Sequence, residues 1–326
     1  MTGDQRVKWR PIAPLPHVNG ALEPLLKTVD SLRSAWEDAL QYYSAEELTE
    51  ARNRRLRRHA VETGIIERLY ELDWGTTEAL VAEGLTSEAA NRAGGIHEDT
   101  LLVIRSQYEA LEYLTELVQD GNSLSLQVIR DLHSIITRHQ PMYEARDQFG
   151  RTFQASLRHG EWKKHENHVI RPDGSILEYC PPLHVQSEME NLIKLYEDAT
   201  DAHPLVRSAW LHHRFIQIHP FEDGNGRVAR ALTLLILLAT KYAPLVVDRR
   251  QRDSGVLAVT VYAERVHPDS DEASTTGEPE SILELSPTDS VSLAYNDVAS
   301  ERWPEVEELL QRKLREAVEY FVERLG

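Results

Sequence analysis

The sequence of 326 residues contains a single cysteine, Cys180, so an intrachain disulfide is excluded and a reducing compartment is indicated. Long hydrophobic runs are also absent. The longest, at 231–239, is interrupted by Thr233 and is too short for a bilayer, which takes about 20 apolar residues. The N-terminal segment lacks the apolar core of a signal peptide. We therefore predict a cytoplasmic protein with no membrane partner.

Basic residues are few compared with acidic ones, 36 against 53, and the net charge is -17. An acidic surface of this kind disfavours binding to nucleic acid. The main basic run, at 53–58, is typical of a solvated helix face. The chain is otherwise ordinary for a globular protein, with 41% hydrophobic and 27% charged residues. The sequence leaves both a monomer and a homo-oligomer as possible states.

Apolar residues recur at helical spacing through most of the chain, so we predict a mainly α fold. A capping box at 44–47 begins one helix, which Thr63-Gly64 is expected to interrupt, with a short new helix following it at 63–72. The segment HVIRPDGSILEYC differs, because two β-prone runs flank a Pro-Asp-Gly turn. This pattern predicts a β-hairpin within 160–183.

We predict three regions along the chain: a helical leader at 1–60, a core at 61–250 and a C-terminal region at 251–326. The last is expected to be a small α/β appendage, with a strand at 256–262 and a closing helix that begins at Pro304. Its sequence carries no motif that assigns it a function.

The twelve residues HPFEDGNGRVAR, 219–230, concentrate the chemistry of the chain. Pro220 disfavours helical geometry at His219, so one helix should end there and the next should begin after the Gly-Asn-Gly turn. Backbone N–H groups that converge at a helix N-terminus form an anion site suited to phosphate. Arg227 in the first turn, and Arg230 one turn later on the same face, can reach the same anion.

Two carboxylates and a histidine complete this motif. Phosphates bring Mg²⁺, which prefers oxygen ligands, and Glu222 and Asp223 are the adjacent candidates, one expected to point into the site and one out of it. His219 is of the right type for a general base near neutral pH. The combination is typical of phosphoryl or nucleotidyl transfer. The alternative is a plain turn in which His219 and Phe221 are packing residues.

The motif matches the Fic family signature HxFx[DE]GNGRxxR at every specified position, so the chain resembles Fic proteins. The resemblance implies a helical Fic bundle that transfers AMP from Mg-ATP to a hydroxyl of a target protein. It further implies His219 as the base and Phe221 as the anchor of the loop. The expected ligands are Asp223 for Mg²⁺, Gly224, Asn225, Gly226 and Arg227 for the phosphates, and Arg230 for the γ-phosphate.

The resemblance also suggests roles for two other segments. The hairpin at 160–183 occupies the place of the Fic flap, which docks the target by strand addition, although it could also be purely structural. Many Fic proteins carry an inhibitory helix with the pattern [ST]xxxE[GN]. Thr63 and Glu67 fit this pattern, whereas Arg68 departs from it and could itself capture Glu67. Paired with Arg230, the Glu67 carboxylate would exclude the γ-phosphate.

These inferences predict an autoinhibited protein adenylyltransferase of the type in which the inhibitory helix precedes the catalytic core. The helical leader also resembles that of many bacterial Fic proteins. The alternatives that stay open are removal of AMP by the same site, another nucleotide donor, and a catalytically silent binding module. The intact GNGR segment favours AMP transfer over other donors.

Overall fold

The computed structural model describes residues 6–16, 23–92, 94–146, 151–170 and 175–242. These residues form nine α-helices and five short β-strands, so the prediction of a mainly α fold is confirmed. The predicted features of the C-terminal region lie outside the described residues. The helices are α1 (Glu23–Leu40), α2 (Ala45–Ile66), α3 (Trp74–Glu83), α4 (Ser87–Arg92), α5 (Glu98–Gln119), α6 (Leu126–Thr137), α7 (Pro182–Asp198), α8 (Pro204–Ile218) and α9 (Asn225–Ala239). The strands are β1 (Arg6–Val7), β2 (Met142–Arg146), β3 (Thr152–Ser156), β4 (Val169–Ile170) and β5 (Ile176–Leu177).

Helix α9 lies at the centre of the fold. It packs against α8, α5 and α6, and its residues from Asn225 to Leu237 are buried. A helix that is apolar on nearly every side is stable only when other elements cover it on all sides. The functional motif forms the loop between α8 and α9, so it is held by the most buried part of the molecule.

Helix α2 runs without a break through Thr63 and Gly64 to Ile66, so the predicted interruption and the separate helix at 63–72 were wrong. The expected capping box is present, with Ser44 Oγ accepting from the Glu47 N–H at 3.2 Å. Gly64 serves packing, since a Cβ there would overlap the hydroxyl of Tyr70. That hydroxyl donates to the Val61 carbonyl at 3.1 Å, which fastens the chain leaving the helix against its last turns.

The end of α2 has the geometry of a Schellman motif. The Leu69 N–H donates to the Gly64 carbonyl and the Arg68 N–H to the Ile65 carbonyl, both at 3.0 Å. Arg68 has a φ of 56°, a left-handed conformation that favours glycine or asparagine. The motif pattern has Gly or Asn at this position for the same physical reason, and this chain tolerates an arginine there.

Two hairpins lie on the helical body. The predicted one is present as β4 and β5, which pair antiparallel with Val169 opposite Leu177. The N-terminal β1 adds to β5 in parallel, which makes a sheet with the order β1-β5-β4. The second hairpin, β2–β3, was not predicted, because its side chains are largely exposed and its sequence lacks a clear apolar alternation.

The described part of the N-terminal segment, before α1, is an extended arm packed on the body. Ile12 is buried, and its N–H donates to the Glu188 carboxylate at 2.8 Å. The Ala13 carbonyl accepts from the indole of Trp210 at 3.2 Å. None of the helices in the described ranges has the length and apolar character required to cross a membrane.

Candidate active site

The loop between α8 and α9 begins and ends in left-handed backbone. His219 closes α8 with a φ of 52°, because the following proline disfavours a right-handed helical conformation at this position. Gly224 has a φ of 81°, and a Cβ there would lie only 3.0 Å from Thr137 Cγ2. Asn225 holds the loop closed, since its side-chain amide bonds both the N–H and the carbonyl of Phe221 at 2.9 Å. Glycine at 224 and the amide at 225 therefore shape the loop.

The N-terminus of α9 has the backbone geometry that suits an anion. Its N-cap, Gly224, supplies no side-chain acceptor, so the backbone N–H groups of the first turn face outward from the helix end. The carboxylate of Glu67 lies directly over Gly226, and a Cβ at that position would overlap Glu67 Oε1. A negatively charged side chain of the protein itself thus occupies the space beside the predicted phosphate cradle.

Arg227 is buried beside this helix end, with only 1% of its side chain exposed. Its Nη2 donates to Gln140 Oε1 at 2.6 Å and lies 3.8 Å from Asp223 Oδ2. Nε and Nη1 find no hydrogen-bond partner among the described residues. Buried guanidinium donors are normally satisfied, so two free ones beside a helix N-terminus suit a bound anion.

Arg230 is held by the end of α2. Its Nε donates to Thr63 Oγ1 at 2.7 Å, and its Nη2 donates to Glu67 Oε1 at 2.5 Å. In the part of the chain that the structure describes, Glu67 pairs with Arg230 and makes no ion pair with Arg68. The structure thus brings Thr63, Glu67 and Arg230 together, and Arg68 does not capture the carboxylate.

The two acidic residues of the motif differ in exposure, as their alternation predicts. The side chain of Glu222 is 4% exposed, against 39% for Asp223. Glu222 accepts from the Lys164 N–H at 2.9 Å, from Arg158 Nη2 at 3.2 Å and from the Tyr143 hydroxyl at 3.2 Å. Burial alone would raise its pKa, but the hydrogen bonds from Lys164, His165 and Tyr143 hold the pKa below its usual value. Glu222 therefore fastens the segment 158–165 to the loop.

Asp223 is the accessible carboxylate of the pair. Its Oδ1 accepts from the Gly224 N–H at 2.6 Å, and its Oδ2 accepts from Gln140 Nε2 at 2.5 Å. No cluster of three or more potential metal-ligating side chains occurs within the described ranges. A cation held by Asp223 would therefore need oxygen ligands from a phosphate and from water, which is the usual coordination of Mg²⁺ in nucleotide sites.

His219 stacks face to face on Tyr179, with ring centroids 3.9 Å apart. Burial, assisted by the nearby charge of Lys163, lowers the pKa of the His219 imidazole to about 3. This value is below the near-neutral one that the sequence analysis assumed, because desolvation depends on tertiary packing. With either pKa, the imidazole is mainly neutral at pH 7 and has one nitrogen that can accept a proton. Its Nδ1 is enclosed and has no hydrogen-bond partner among the residues described.

Lys163 is a site residue that the sequence analysis missed. It is 3% exposed, and its Nζ donates to Asn167 Oδ1 at 2.6 Å and to the Ile218 carbonyl at 3.4 Å. Its backbone N–H donates to the Pro220 carbonyl at 2.8 Å, so Lys163 holds the chain on both sides of His219. Burial lowers the pKa of its ammonium group to about 7. No local signal distinguishes this lysine from the exposed one that follows it.

His133 on α6 was also missed. Its Nδ1 accepts from the Gly160 N–H at 2.8 Å, so the proton lies on Nε2, which donates to the Asp223 carbonyl at 3.0 Å. Burial lowers the pKa of His133 to about 3 and keeps the ring neutral. The ring stacks on Phe221, with centroids 3.7 Å apart, and Trp162 packs on the same phenylalanine. Phe221, expected to anchor the loop, is fully buried between these rings.

The predicted flap hairpin lies next to the candidate base. Tyr179, which stacks on His219, follows β5 by two residues. At the other end of the hairpin segment, the Asn167 amide donates to the Phe221 carbonyl at 2.8 Å. The β4–β5 hairpin is thus joined to the motif loop at both of its ends.

Comparison with known proteins agrees with this geometry. The sequence profile described as "Fic/DOC family" matches residues 123–237. The chain is 28% identical to the protein adenylyltransferase Fic of Nematostella vectensis over 149 residues, which cover 44% of this chain and 30% of that protein. It is 38% identical to the protein adenylyltransferase Fic of Drosophila persimilis over 56 residues, 17% of this chain and 11% of that protein. The matches thus span less than a third of the length of these relatives.

Solved structures show the same fold. A Fic domain containing signaling protein from Bacteroides thetaiotaomicron superposes with a TM-score of 0.60 at 23% identity, covering 91% of this chain and 96% of that one. Fic-1 from C. elegans superposes with a TM-score of 0.55 at 16% identity, covering 94% of this chain and 72% of that one. The profile match, the helical fold and the complete HPFEDGNGRVAR loop together support a Fic/DOC-type domain at residues 123–237.

Proposed function

We propose that this chain transfers AMP from Mg-ATP to a hydroxyl side chain of a target protein, and that Glu67 restrains the reaction. The proposal rests chiefly on one observation, the buried pair of Arg227 and Arg230 at the N-terminus of α9, one with free donors and one neutralised by Glu67. A helix end with two guanidinium groups suits a polyphosphate. The relatives named protein adenylyltransferase Fic support the choice of AMP transfer.

In the proposed reaction the hydroxyl oxygen of the target attacks the α-phosphorus of ATP. The new O–P bond forms as the bond between the α-phosphorus and the bridging oxygen to the β-phosphorus breaks, and pyrophosphate leaves. The hydroxyl proton passes to His219, which is unprotonated at neutral pH. Because Nδ1 is enclosed, Nε2 is the nitrogen available to accept it.

The other motif residues bind and orient the nucleotide. Gly224, Asn225 and Gly226 cradle the α- and β-phosphates, with the N–H groups of Asn225 and Gly226 as the donors because the Gly224 N–H bonds Asp223 Oδ1. Arg227 directs its free Nε and Nη1 donors at the same phosphates. When bound, Mg²⁺ neutralises phosphate charge, and Asp223 is the residue that would hold it. The accessible carboxylate of Asp223, next to a site suited to phosphate, fits a cation that takes its remaining ligands from phosphate and water.

Glu67 acts in this proposal by occupying the partner of the γ-phosphate. Its carboxylate bonds Arg230 and lies over Gly226, so a terminal phosphate at this place meets a negative charge and finds its arginine engaged. Displacement of Glu67 leaves Arg230 free to bind the phosphate. Inhibition therefore results from competition between the Glu67 carboxylate and the γ-phosphate for the guanidinium group of Arg230.

The target docks at the β4–β5 hairpin in this proposal. The hairpin adjoins His219 through Tyr179, so an extended segment added to the sheet would bring its hydroxyl close to the base. Since β1 already pairs with β5, the edge strand β4 is the side of the hairpin that is open to a further strand within the described sheet.

The test uses purified full chain with Mg²⁺ and ATP labelled at either the α- or the γ-position, alone and with cell lysate. Wild type, Glu67→Gly and Glu67→Gly/His219→Ala are compared, with Glu71→Gly as a control because Glu71 is an exposed acidic residue close to Glu67. We expect α-label in protein from Glu67→Gly, little from wild type and Glu71→Gly, and none from the double variant.

Other outcomes identify other functions. Incorporation of the γ-label would make the chain a phosphotransferase. If no variant incorporates either label although Glu67→Gly binds Mg-ATP, the proposed transfer is wrong. Release of AMP from a protein that already carries it, or a purely binding role, would then be the function to examine.

A further inference from the structure

We propose that Gln140 is a positioning residue that sets both the metal-binding carboxylate and the phosphate-binding arginine of the site. Its side-chain amide bridges Asp223 and Arg227, donating to Asp223 Oδ2 at 2.5 Å and accepting from Arg227 Nη2 at 2.6 Å. This inference rests on the proposed function, since it assigns Gln140 a part in binding Mg-ATP. The family motif does not include this residue.

The orientation of the amide follows from its partners. A guanidinium group can only donate hydrogen bonds, and an ionised carboxylate can only accept them. Gln140 therefore must turn its oxygen to Arg227 and its nitrogen to Asp223, so neither a carboxylate nor an ammonium side chain could satisfy both neighbours. The bridge ties a carboxylate and a guanidinium that lie 3.8 Å apart to one amide plane.

Gln140 is itself rigidly placed. It follows the end of α6, and its backbone N–H donates to the Thr137 carbonyl at 2.8 Å. The same helix contacts the motif loop at two further points, because His133 bonds the Asp223 carbonyl and Thr137 packs on Gly224. The end of α6 is therefore a fixed support, and the amide transmits that support to Asp223 and Arg227.

The bridge has a consequence for the nucleotide site. With Nη2 held by Gln140, the planar guanidinium of Arg227 keeps its free Nε and Nη1 donors in one direction. The carboxylate of Asp223 is likewise kept from rotating, because Oδ2 accepts from Gln140 and Oδ1 accepts from the Gly224 N–H, and the remaining lone pairs of both oxygens are left for a cation. Outer-shell hydrogen bonds of this kind change metal affinity by about 10–100-fold when they are removed.

The test measures nucleotide binding by calorimetry in the Glu67→Gly background, with ATP in EDTA and with ATP in saturating Mg²⁺. Gln140→Met removes both hydrogen bonds at similar size, and Gln140→Asn keeps an amide too short to bridge. The matched control is Gln127→Met, because Gln127 is an exposed residue at the start of the same helix and bonds Asp131 at 2.7 Å, away from the motif loop.

We expect both Gln140 variants to lose affinity for Mg-ATP by about tenfold or more and to show a smaller gain in affinity on adding Mg²⁺. A merely structural role would lower the melting temperature without changing this Mg²⁺ dependence. If the Glu67→Gly parent binds Mg-ATP and Gln140→Met leaves that affinity unchanged or raises it, the role of Gln140 is overturned and the proposed function is not. Failure of the parent to bind Mg-ATP would overturn the proposed function, and this inference with it.

Discussion

Glu67 Oε1 and Arg230 Nη2 lie 2.5 Å apart although 163 positions separate the two residues in the sequence. One partner lies at the end of α2 and the other in the second turn of α9, and α5 packs against both helices. The side chain of Arg230 is 7% exposed, so its attraction to an anion is screened little by water. Any phosphate that uses Arg230 must first replace the Glu67 carboxylate.

Glu67 and Thr63 both bond Arg230, and we expect each to lower the affinity for ATP separately. Glu67→Gln removes the charge and should raise ATP affinity by about tenfold or more, as for a charge-assisted hydrogen bond. Thr63→Val removes only the hydroxyl that accepts from Arg230 Nε at 2.7 Å, and a rise of about fivefold is expected. Calorimetric titration with Mg-ATP measures both, and Glu71→Gln is the control. Equal affinities in all four proteins would show that Arg230 does not contact the nucleotide.

The left-handed backbone at Arg68 makes a second prediction. Arg68→Gly should raise the free energy of unfolding by about 1 kcal/mol, because glycine adopts this conformation without a Cβ clash. The better helix end should also hold Glu67 more firmly, so ATP affinity should fall.

The control for Arg68 is Lys241, which has a φ of 60° at the equivalent position after α9, with the Tyr242 N–H bonded to the Leu237 carbonyl. Lys241→Gly should stabilise the protein by a similar amount and leave ATP affinity unchanged. Chemical denaturation gives the stabilities. An identical effect of the two variants on ATP affinity would rule out a special role for the end of α2.

We expect the two carboxylates of the motif to have different roles, Asp223 in Mg²⁺ binding and Glu222 in stability. Asp223→Asn is expected to abolish the Mg²⁺-dependent part of ATP affinity, because this side chain is the accessible one. Glu222→Gln should keep the Mg²⁺ dependence and instead lower the free energy of unfolding by about 1–3 kcal/mol, since the donors of Lys164 and Arg158 lose a charged acceptor whose side chain is 4% exposed. Titration of ATP binding with Mg²⁺ decides between them, and loss of Mg²⁺ dependence in Glu222→Gln would reverse the assignment.

Three buried histidines should make the protein sensitive to acid. Burial lowers the pKa of His133, His212 and His219 to about 3, whereas in the unfolded chain each is near 6.5. Between these values the unfolded state binds more protons, so stability falls as the pH is lowered. Each histidine contributes as much as about 1.4 kcal/mol per pH unit.

Urea denaturation at pH 7, 6 and 5 measures this loss of stability. His133→Phe should reduce the slope, because the variant ring remains stacked on Phe221 but does not titrate. His97→Gln is the control, since the side chain of His97 is 78% exposed. A stability that is constant from pH 7 to pH 5 would contradict the burial argument.

Local sequence signals predicted the parts of the fold that depend on neighbouring residues. The capping box at Ser44 and the antiparallel pairing of β4 with β5 were predicted correctly from residues within a few positions of one another. The predicted break at Gly64 was wrong because a glycine can either interrupt a helix or allow close packing against it. Only the position of Tyr70 in space shows that packing is the reason here. The β2–β3 hairpin was missed because its exposed faces leave no apolar period.

The twelve-residue motif by itself determined which groups the site brings together: a histidine, two carboxylates, a glycine turn and two arginines at a helix start are contiguous, so their geometry follows from one loop and one helix. Tertiary structure alone decided what acts on that loop. Gln140, Lys163 and His133 come from other segments, and no local pattern marks them. The depressed pKa of His219 and the contact of Glu67 with Arg230 depend on burial and on distance in space, which a linear sequence does not encode locally.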